Sequence, residues 1–473
     1  MSRSSHTCKP GSTREVLYVA LPMVASCGCH TVMTFTDRLF LSKLGPEQMN
    51  AAMGGGLSSF VMMTFFIGLT GYSTALVAQY LGAGRKERCA RATFQALLIG
   101  AAAYPVILLC RPFAYWLFDV SGIAPEQLAP QRVYFDILVY ACVIGLLRNG
   151  VSCFFSGVGR TRIVMFSAVT AMVVNIAANY VLIFGKFGAP ALGIRGAALG
   201  TVLGDVCGLA VLACAYFARG NRTEFQVLQS LAFDREAMGK LLRFGYPAGI
   251  EFFLNLLAFA GMITVFHSHS LATASAVTIV FNWDMVSFVP LIGMEIGVTS
   301  LVGRYMGAGQ PDIAHRSTMS ALRVGWVYSS VILVLFVFFP ERLVDVFRPD
   351  GELGVYAQAR PLAVKMLRMA SLYVMIEAVL VVFAGALRGA GDTFWTMCTS
   401  VAAHWIMLPI LILMLRVFGC SVVSSWSLLI VSFLLFSGVF WLRYRGGRWR
   451  TLNVLTPVPS PSHVAETSGA PPE

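Results

Sequence analysis

Charged side chains are scarce in this sequence. They make up 12% of the 473 residues, whereas hydrophobic residues make up 57%, and an ordinary soluble domain carries about 25% charged residues. The mean hydropathy is +0.72. A chain with so few charges is poorly suited to a water-facing surface. The composition therefore excludes an ordinary soluble protein and indicates an integral membrane protein.

Motifs of several enzyme classes are also missing. The sequence has no HExxH pair, no paired aspartate motif and no P-loop, and the Gly-Ala-Gly turns at 82–84 and 307–309 lack the Lys-Ser/Thr of a Walker sequence. We therefore predict neither an enzyme nor a self-contained ATP-driven pump, and no catalytic residue or cofactor. No soluble segment is long enough to carry a basic patch. The net charge of +12 thus does not indicate a nucleic-acid partner.

Twelve apolar runs, each long enough to cross a bilayer, lie between residues 15 and 442. Backbone hydrogen bonds must close within the lipid, which favours helices, and the ~10-residue alternating segments of a membrane barrel are absent. We predict an all-α membrane protein with twelve transmembrane helices.

Most of the 35 Lys and Arg residues lie at the N-terminus, in the even-numbered connections and after the last run. By the positive-inside bias, both termini should be cytoplasmic, in a multi-pass protein of a bacterial-type inner membrane.

The two halves of the chain repeat each other. LVAQYLGAGRKERCARA (76–92) matches LVGRYMGAGQPDIAHRS (301–317), and SGVGRTR (156–162) matches RGAGDTF (388–394), at nearly equal separations. Both repeats fall on the same predicted side, so we expect parallel repeats related by an axis along the membrane normal. The predicted segments are a cytoplasmic N-terminus (1–14), a first six-helix lobe (15–217), a cytoplasmic linker (218–239), a second six-helix lobe (240–445) and a disordered cytoplasmic tail (446–473).

These motifs, together with FTDRLFLSKLG in the first run and LGIRGAALGT at 192–201, resemble the multidrug and toxic compound extrusion (MATE) transporters. The resemblance runs from about residue 15 to 440. It implies a V-shaped fold and alternating-access export of organic, mainly cationic compounds in exchange for inward H⁺ or Na⁺. We expect a monomer whose partners are such compounds and the lipid bilayer. The alternative is a flippase of lipids or lipid-linked saccharides from the wider superfamily.

Polar residues inside the first lobe predict a cation-coupling site. Asn175 and Asn179 are spaced i, i+4, as are Thr201 and Asp205, so each pair shares a helix face. Asp37, Asn179 and Thr201 all fall in the outer half of the predicted spans, so these groups could converge, and Asp205 joins them only through its spacing to Thr201. In the family, the first-span aspartate and the fifth-span polar pair are implicated in cation binding, which assigns Asp37, Asn175 and Asn179. A carboxylate among amide and hydroxyl oxygens suits Na⁺, while burial of the carboxylate suits a proton. No other metal is expected, and interhelical hydrogen bonding is the alternative role.

The second lobe offers a looser set of polar candidates. Other branches of the family carry a carboxylate eight residues after a span-seven proline, where this chain has Asn255; Glu251 lies one turn earlier on the same face. Glu377 matches an acidic family position in the tenth span. Two roles are considered for Glu295: it contacts the gate on the cytoplasmic side, or it neutralises an arginine. The candidates are Glu251, Asn255, Asp284, Glu295 and Glu377.

Overall fold

The structure is a computed structural model that describes residues 9–120, 125–348 and 354–455. The described residues form twelve helices long and apolar enough to cross a membrane, as predicted. Ten of these membrane-spanning helices run without a break. The second is interrupted for one residue at Tyr72, so that it is numbered below as α2 and α3, and the eleventh ends in a π-helical turn, Leu413–Val417. The short helices α8 and α12 do not span. The helices are α1 (Thr13–Ser42), α2 (Pro46–Gly71), α3 (Ser73–Gly82), α4 (Lys86–Val120), α5 (Pro125–Gly157), α6 (Thr161–Phe184), α7 (Ile194–Phe217), α8 (Arg219–Glu224), α9 (Arg235–His267), α10 (Leu271–Gly307), α11 (Pro311–Phe338), α12 (Pro340–Asp345), α13 (Gly354–Ala390), α14 (Thr393–Ile412) and α15 (Val422–Arg445).

Helix pairing repeats between the halves. In the first lobe α1 packs on α6, α2 on α5, α4 on α5, and α5 on α7. In the second lobe the equivalent pairs are α9 on α14, α10 on α13, α11 on α13, and α13 on α15. The lobes also exchange equivalent contacts, α1 with α10 and α9 with α2. This packing is what a parallel repeat requires.

The two lobes share their hydrophobic core at one end of the bundle only. At the end that carries both chain termini, Val16 and Ala20 of α1 belong to a core made mainly by α10 and α13. At the same end, Leu241 of α9 packs into a core of the first lobe. The cores at the opposite end are built within single lobes. We call the shared end the closed end and the opposite end the open end.

The closed end is held by close backbone contact between the repeated Gly-Ala-Gly turns. A Cβ on Gly82 would overlap the carbonyl oxygen of Arg304, and a Cβ on Gly307 would overlap the carbonyl oxygen of Gln79. The Gln79 side chain donates a hydrogen bond to the carbonyl of Gly389, at 2.8 Å. Glycine is therefore required at both turns for the helix ends to meet this closely.

Segments outside the spans are more ordered than the sequence suggested. The predicted linker contains α8 and a 3-10 turn, and α9 already begins at Arg235. Glu224 at the end of α8 lies 2.8 Å from Lys86 and 2.6 Å from Arg160. Burial alone would raise the pKa of Glu224, but hydrogen bonds from these two cations lower it below its ordinary value.

The expectation of disorder from Gly446 onward is wrong for residues 446–455. Arg448–Thr451 form a 3-10 turn, Trp449 is buried, and Val454 lies in the core near Gly391. The Trp449 ring stacks on the Tyr444 ring, and its Nε1 donates a hydrogen bond to the Tyr444 carbonyl at 2.9 Å; together these contacts anchor the short segment. The rest of the predicted tail, 456–473, and residues 1–8 of the predicted N-terminus lie outside the described residues.

Candidate functional site

Asp37 lies at the centre of a buried polar cluster in the open-end half of the first lobe. Asn179 donates a hydrogen bond to its Oδ1, and the Thr201 hydroxyl lies 3.2 Å from its Oδ2. Asn175 donates to the Thr201 hydroxyl at 3.3 Å. Both asparagines are fully buried, and Asp37 is 8% exposed. The structure thus brings together four of the five residues predicted for the first-lobe site.

A glycine stripe explains how the asparagines of α6 reach this position. Gly196, Gly200, Gly204 and Gly208 recur every fourth residue on α7 and let α6 approach closely, as small residues do in membrane helix pairs. A Cβ on Gly200 would overlap Asn179 Oδ1, and one on Gly204 would lie 3.1 Å from Asn175 Cβ. The LGIRGAALGT motif therefore shapes the site.

The donor set fits a monovalent cation. Asn175 Oδ1 and Asn179 Oδ1 are buried without a hydrogen-bond partner, so the residues around the Asp37 carboxylate include two amide oxygens and a hydroxyl, although the Asn179 amide turns its nitrogen toward Asp37. Hard cations such as Na⁺ prefer oxygen ligands of this kind. The described residues contain no group of three His, Cys, Asp or Glu that would hold a transition metal.

The cluster opens onto a cavity of about 520 Å³ within the first lobe. Its wall includes Asp37 and Thr201 together with Arg38, which is exposed rather than packed. Apolar residues such as Met53, Phe60 and Met63 line other parts of the wall. The cavity is large enough for a small organic molecule, and charged groups are restricted to a few positions.

Asp205 lines the same cavity but does not join the Asp37 cluster. Its Oδ1 lies 2.5 Å from Arg148 Nη1, and both side chains are partly exposed. Gly208 leaves room for the guanidinium group, since a Cβ there would lie 2.9 Å from Arg148 Nε. Asp205 thus neutralises an arginine one turn along α7 from Thr201. It is not placed as a direct ligand of a cation at Asp37.

In the second lobe, Arg388 joins two of the predicted carboxylates. Its Nη2 donates to Glu251 Oε1 at 2.8 Å, and its Nη1 donates to Glu295. Glu251 Oε2 and Arg388 Nε are buried without partners. Glu295 therefore neutralises an arginine, which is one of the two roles considered for it from the sequence. We call these three residues the arginine-centred triad.

Asn255 lies one turn from Glu251 and donates to the Ser400 hydroxyl at 2.7 Å, while its Oδ1 is buried without a partner. His404 contacts the carbonyl oxygen of Ser400 through Nδ1 at 2.8 Å. The Asn255–Ser400 hydrogen bond links α9 to α14, whereas the His404 contact lies within α14. Asn255 lies beside the triad because it is one helical turn from Glu251 on α9.

Asp284 and Glu377 lie apart from the triad, on α10 and α13. Tyr373 donates to Asp284 Oδ1 at 2.6 Å, and Glu377 Oε2 is buried without a partner. Among the described residues neither carboxyl has an ion-pair partner. Tyr373 was not among the sequence candidates, although its i, i+4 spacing to Glu377 is a signal that places both on one helix face.

A two-lobed bundle of twelve membrane-spanning helices, closed at one end and containing buried ionisable clusters, has the architecture of a membrane transporter. The MatE family model matches residues 22–181 and 247–413, once in each lobe. The chain belongs to the MatE family of multidrug and toxic compound extrusion transporters, whose members are not enzymes, and it is a multi-pass inner-membrane protein. The expectations of family, fold class and absence of enzyme chemistry are confirmed.

Individual relatives agree with this assignment. The chain is 26% identical to the probable multidrug resistance protein NorM of Thermotoga maritima over 461 residues, which cover 94% of this chain and 95% of the relative. It is 27% identical to the multidrug resistance protein PmpM of Pseudomonas aeruginosa over 411 residues, covering 84% and 83%. Its fold is similar to that of a MOP superfamily transporter from Pyrococcus furiosus, with a TM-score of 0.84 and 18% identity over 93% of this chain and 97% of that one.

Proposed function

We propose that this protein is a secondary multidrug exporter that exchanges organic, mainly cationic compounds for an inward-moving H⁺ or Na⁺. The observation that carries the proposal is the Asp37 cluster. It combines a buried carboxylate with two unpartnered amide oxygens and opens onto a cavity of drug size. Burying ionisable groups inside a membrane span is costly, and such groups are usually functional.

The coupling ion binds at Asp37. When the ion is Na⁺, its oxygen ligands are the Thr201 hydroxyl, Asn175 Oδ1 and Asn179 Oδ1, and the Asn179 amide, whose nitrogen donates to Asp37 in this structure, turns its oxygen toward the ion. When the ion is H⁺, Asp37 takes up the proton directly, because no second carboxyl stands in the cluster. The Asp284–Glu377 pair is a candidate for a second ion position in the other lobe. Its support is that two buried carboxyls lie there without an ion-pair partner among the described residues.

The substrate binds in the first-lobe cavity and the cleft between the lobes. Arg38 and Arg148 each have a carboxylate close by, so the cavity carries no excess of positive charge. That balance suits cationic or neutral organic compounds better than the pyrophosphate of a lipid-linked saccharide. The flippase alternative therefore gains no support from the cavity.

The described conformation corresponds to the outward-open state if both termini are cytoplasmic. The closed end carries the chain termini, and the positive-inside bias assigns that end to the cytoplasm. Rocking of the two lobes about their contact would then expose the clusters alternately to the two sides.

Uptake of a fluorescent organic cation into inside-out vesicles tests the proposal, with the pH gradient and the Na⁺ gradient imposed separately. Accumulation under one gradient and not the other identifies the coupling ion. No accumulation under either gradient, from vesicles that contain folded protein, would refute ion-coupled export. A fluorescent lipid analogue in the same vesicles tests the flippase alternative.

A further inference from the structure

A second cavity, of about 430 Å³, lies at the closed end and is bounded by both lobes. Leu81 and Gly82 of α3 line it from the first lobe, and Leu301 and Arg304 of α10 line it from the second. The turn between α5 and α6 also belongs to the wall. Because Gly82 meets the backbone carbonyl of Arg304, this cavity adjoins the contact at which the lobes must separate. We call it the closed-end cavity.

The charged groups of the closed-end cavity do not balance. Three cations and two anions line it: Lys86, Arg160, Arg304, Glu15 and Glu224. Glu224 is shared, since it lies 2.8 Å from Lys86 and 2.6 Å from Arg160. Two cations of the first lobe thus have a single carboxylate between them.

Arg304, on the side of the second lobe, has no counter-ion. The Glu15 carboxylate is already engaged, because it accepts hydrogen bonds from the Tyr305 hydroxyl and from the N–H of Gly11. Among the described residues, the Arg304 side chain has neither an ion pair nor a hydrogen bond. It is partly buried, and a guanidinium group withdrawn from water without an acceptor is destabilising. An anion in the cavity would remove this cost.

The internal repeat shows that the contact between the lobes does not itself require these cations. In the aligned repeats, Gln79 of the first half corresponds to Arg304 of the second, and Asp392 of the second half corresponds to Arg160 of the first. Gln79 donates to the carbonyl of Gly389, whereas the Arg304 side chain makes no equivalent bond. The positive charges are therefore a property of this cavity and not of the repeated packing.

We propose that the closed-end cavity binds a phosphate group, and that the bound group holds the two lobes together. The planar guanidinium of Arg304 can donate two parallel hydrogen bonds to a pair of phosphate oxygens. Lys86 and Arg160 reach the remaining oxygens from the first lobe. A phosphate has more oxygens to share among three cations than a carboxylate has, which favours phosphate as the ligand.

The rest of the wall suits a phosphate that carries an organic group. It includes the apolar residues Val19, Leu301 and Phe225, against which such a group can pack. Helices α4 and α6 begin at the cavity, at Lys86 and directly after Arg160, and the positive ends of their dipoles add to the attraction for an anion. The headgroup of an anionic phospholipid in the adjoining leaflet and a soluble phosphate ester share this chemistry.

Opening of the closed end would break the site, because Arg304 moves with the second lobe while Lys86 and Arg160 stay with the first. A ligand that binds one state preferentially shifts the population toward that state. A bound phosphate should therefore favour the conformation described here and slow any step that requires the closed end to open. This inference goes beyond the proposed function, since it depends neither on the coupling ion nor on the exported compound.

Thermal unfolding of the full-length, delipidated protein in a phosphate-free detergent buffer tests the site. Inorganic phosphate, phosphoethanolamine and dioleoylphosphatidylglycerol are added separately, with sodium chloride and dioleoylglycerol as controls that lack phosphate. A compound that binds the folded state should raise the Tm increasingly with its concentration. A rise with phosphatidylglycerol alone identifies a lipid headgroup, and a rise with the soluble compounds identifies a phosphate from solution.

Arg304→Gln is the informative variant, because the other repeat carries glutamine at the equivalent position. Loss of hydrogen bonds to a charged group should weaken the apparent affinity for phosphate about 10- to 100-fold. Arg195→Gln removes the same charge from an exposed position at the start of α7, at the open end, and should respond like the wild type. Glu224→Gln leaves Lys86 and Arg160 without their shared carboxylate and should bind phosphate more tightly.

Two results would overturn the proposal. One is a rise in Tm of equal size in the wild type and in Arg304→Gln, which would be a general effect of the added salt or lipid. The other is no rise with any phosphate compound in the wild type, together with equal amounts of retained phospholipid in the wild type and Arg304→Gln by native mass spectrometry.

Spin-label distances across the closed end give a second readout that does not depend on the stability of any variant. The phosphate compound that raises the Tm should reduce the population with an open closed end in the wild type. An unchanged population would show that the ligand does not hold the lobes together. Failure of ion-driven uptake with these responses intact would refute the proposed function while leaving the phosphate site standing.

Discussion

Replacing Asp37 with asparagine tests the first-lobe ion site with little change of shape. Asn179 still has a side-chain oxygen to donate to, and Thr201 can accept from the new amide nitrogen, so the fold should be retained. The variant lacks only the negative charge. At an effective dielectric constant of about 20, a unit charge at ~4 Å contributes about 4 kcal/mol, which corresponds to a roughly 10³-fold loss of cation affinity.

The expected outcome of Asp37→Asn is a nearly complete loss of gradient-driven transport with binding of the organic substrate retained. Transport is measured as uptake of a fluorescent cation into proteoliposomes, and binding by fluorescence polarisation of the same compound in detergent. Asp312→Asn is the matched control, because Asp312 is 81% exposed and is paired only with Arg450 among the described residues. It should transport like the wild type.

Unchanged transport in Asp37→Asn would refute the reasoning, since the proposed site has no other carboxylate. Loss of both transport and binding, with a normal Tm, would assign Asp37 to the substrate rather than to the ion. Thr201→Val separates the two ions further. Removal of a hydroxyl ligand should weaken Na⁺ coupling and have less effect on a proton carried by Asp37 itself.

Three further predictions follow from other parts of the molecule. Gly82→Ala should destabilise the closed end by about 1–3 kcal/mol, because the added Cβ would overlap the facing lobe. Distances between spin labels on the two lobes should then show a larger open population. Gly71→Ala is the control, since a Cβ there would have no neighbouring atom within 4 Å. Glu224→Gln should cost about 0.5–1 kcal/mol at neutral pH. Because the folded-state pKa of Glu224 is lowered, its stabilisation is present above the ordinary pKa, and the difference in Tm should vanish as the pH falls. Asp205→Asn leaves Arg148 without its ion pair and should raise KM for cationic substrates roughly tenfold, or ~1.4 kcal/mol, with no change for neutral ones.

The sequence predicted the spans, the repeat and most of the first-lobe cluster because hydropathy, motif matches and position along a helix can be read directly from the order of the residues. Hydropathy sets the helices, and depth along each helix places Asp37 beside Asn179 and Thr201. The partner of Asp205 was not predicted. Arg148 lies on α5, and its distance from Asp205 depends on how α5 rotates against α7, which a one-dimensional pattern does not specify.

The arginine-centred triad was missed for a related reason. Its members were considered individually, with Arg388 counted only as a charge of a predicted cytoplasmic connection. In the structure α13 extends to Ala390 and therefore includes Arg388. The same part of α13 packs on α10, where Gly385 allows close contact with Glu295. A shift of a few residues in a predicted helix end thus changes Arg388 from a fully solvated charge into a partly buried partner of two glutamates. Helix ends are the least certain part of such predictions.

The paired glycines at the closed end have a consequence for the rate at which the lobes part. Gly82 and Gly307 meet the backbone of the opposite lobe directly, so at these two points separation requires no side chain to change rotamer. The contact is held by dispersion forces, which weaken steeply as the gap widens. We therefore expect the attraction at each turn to be lost within a small displacement once the lobes begin to separate. Beyond that displacement, the two turns should offer little further resistance to opening.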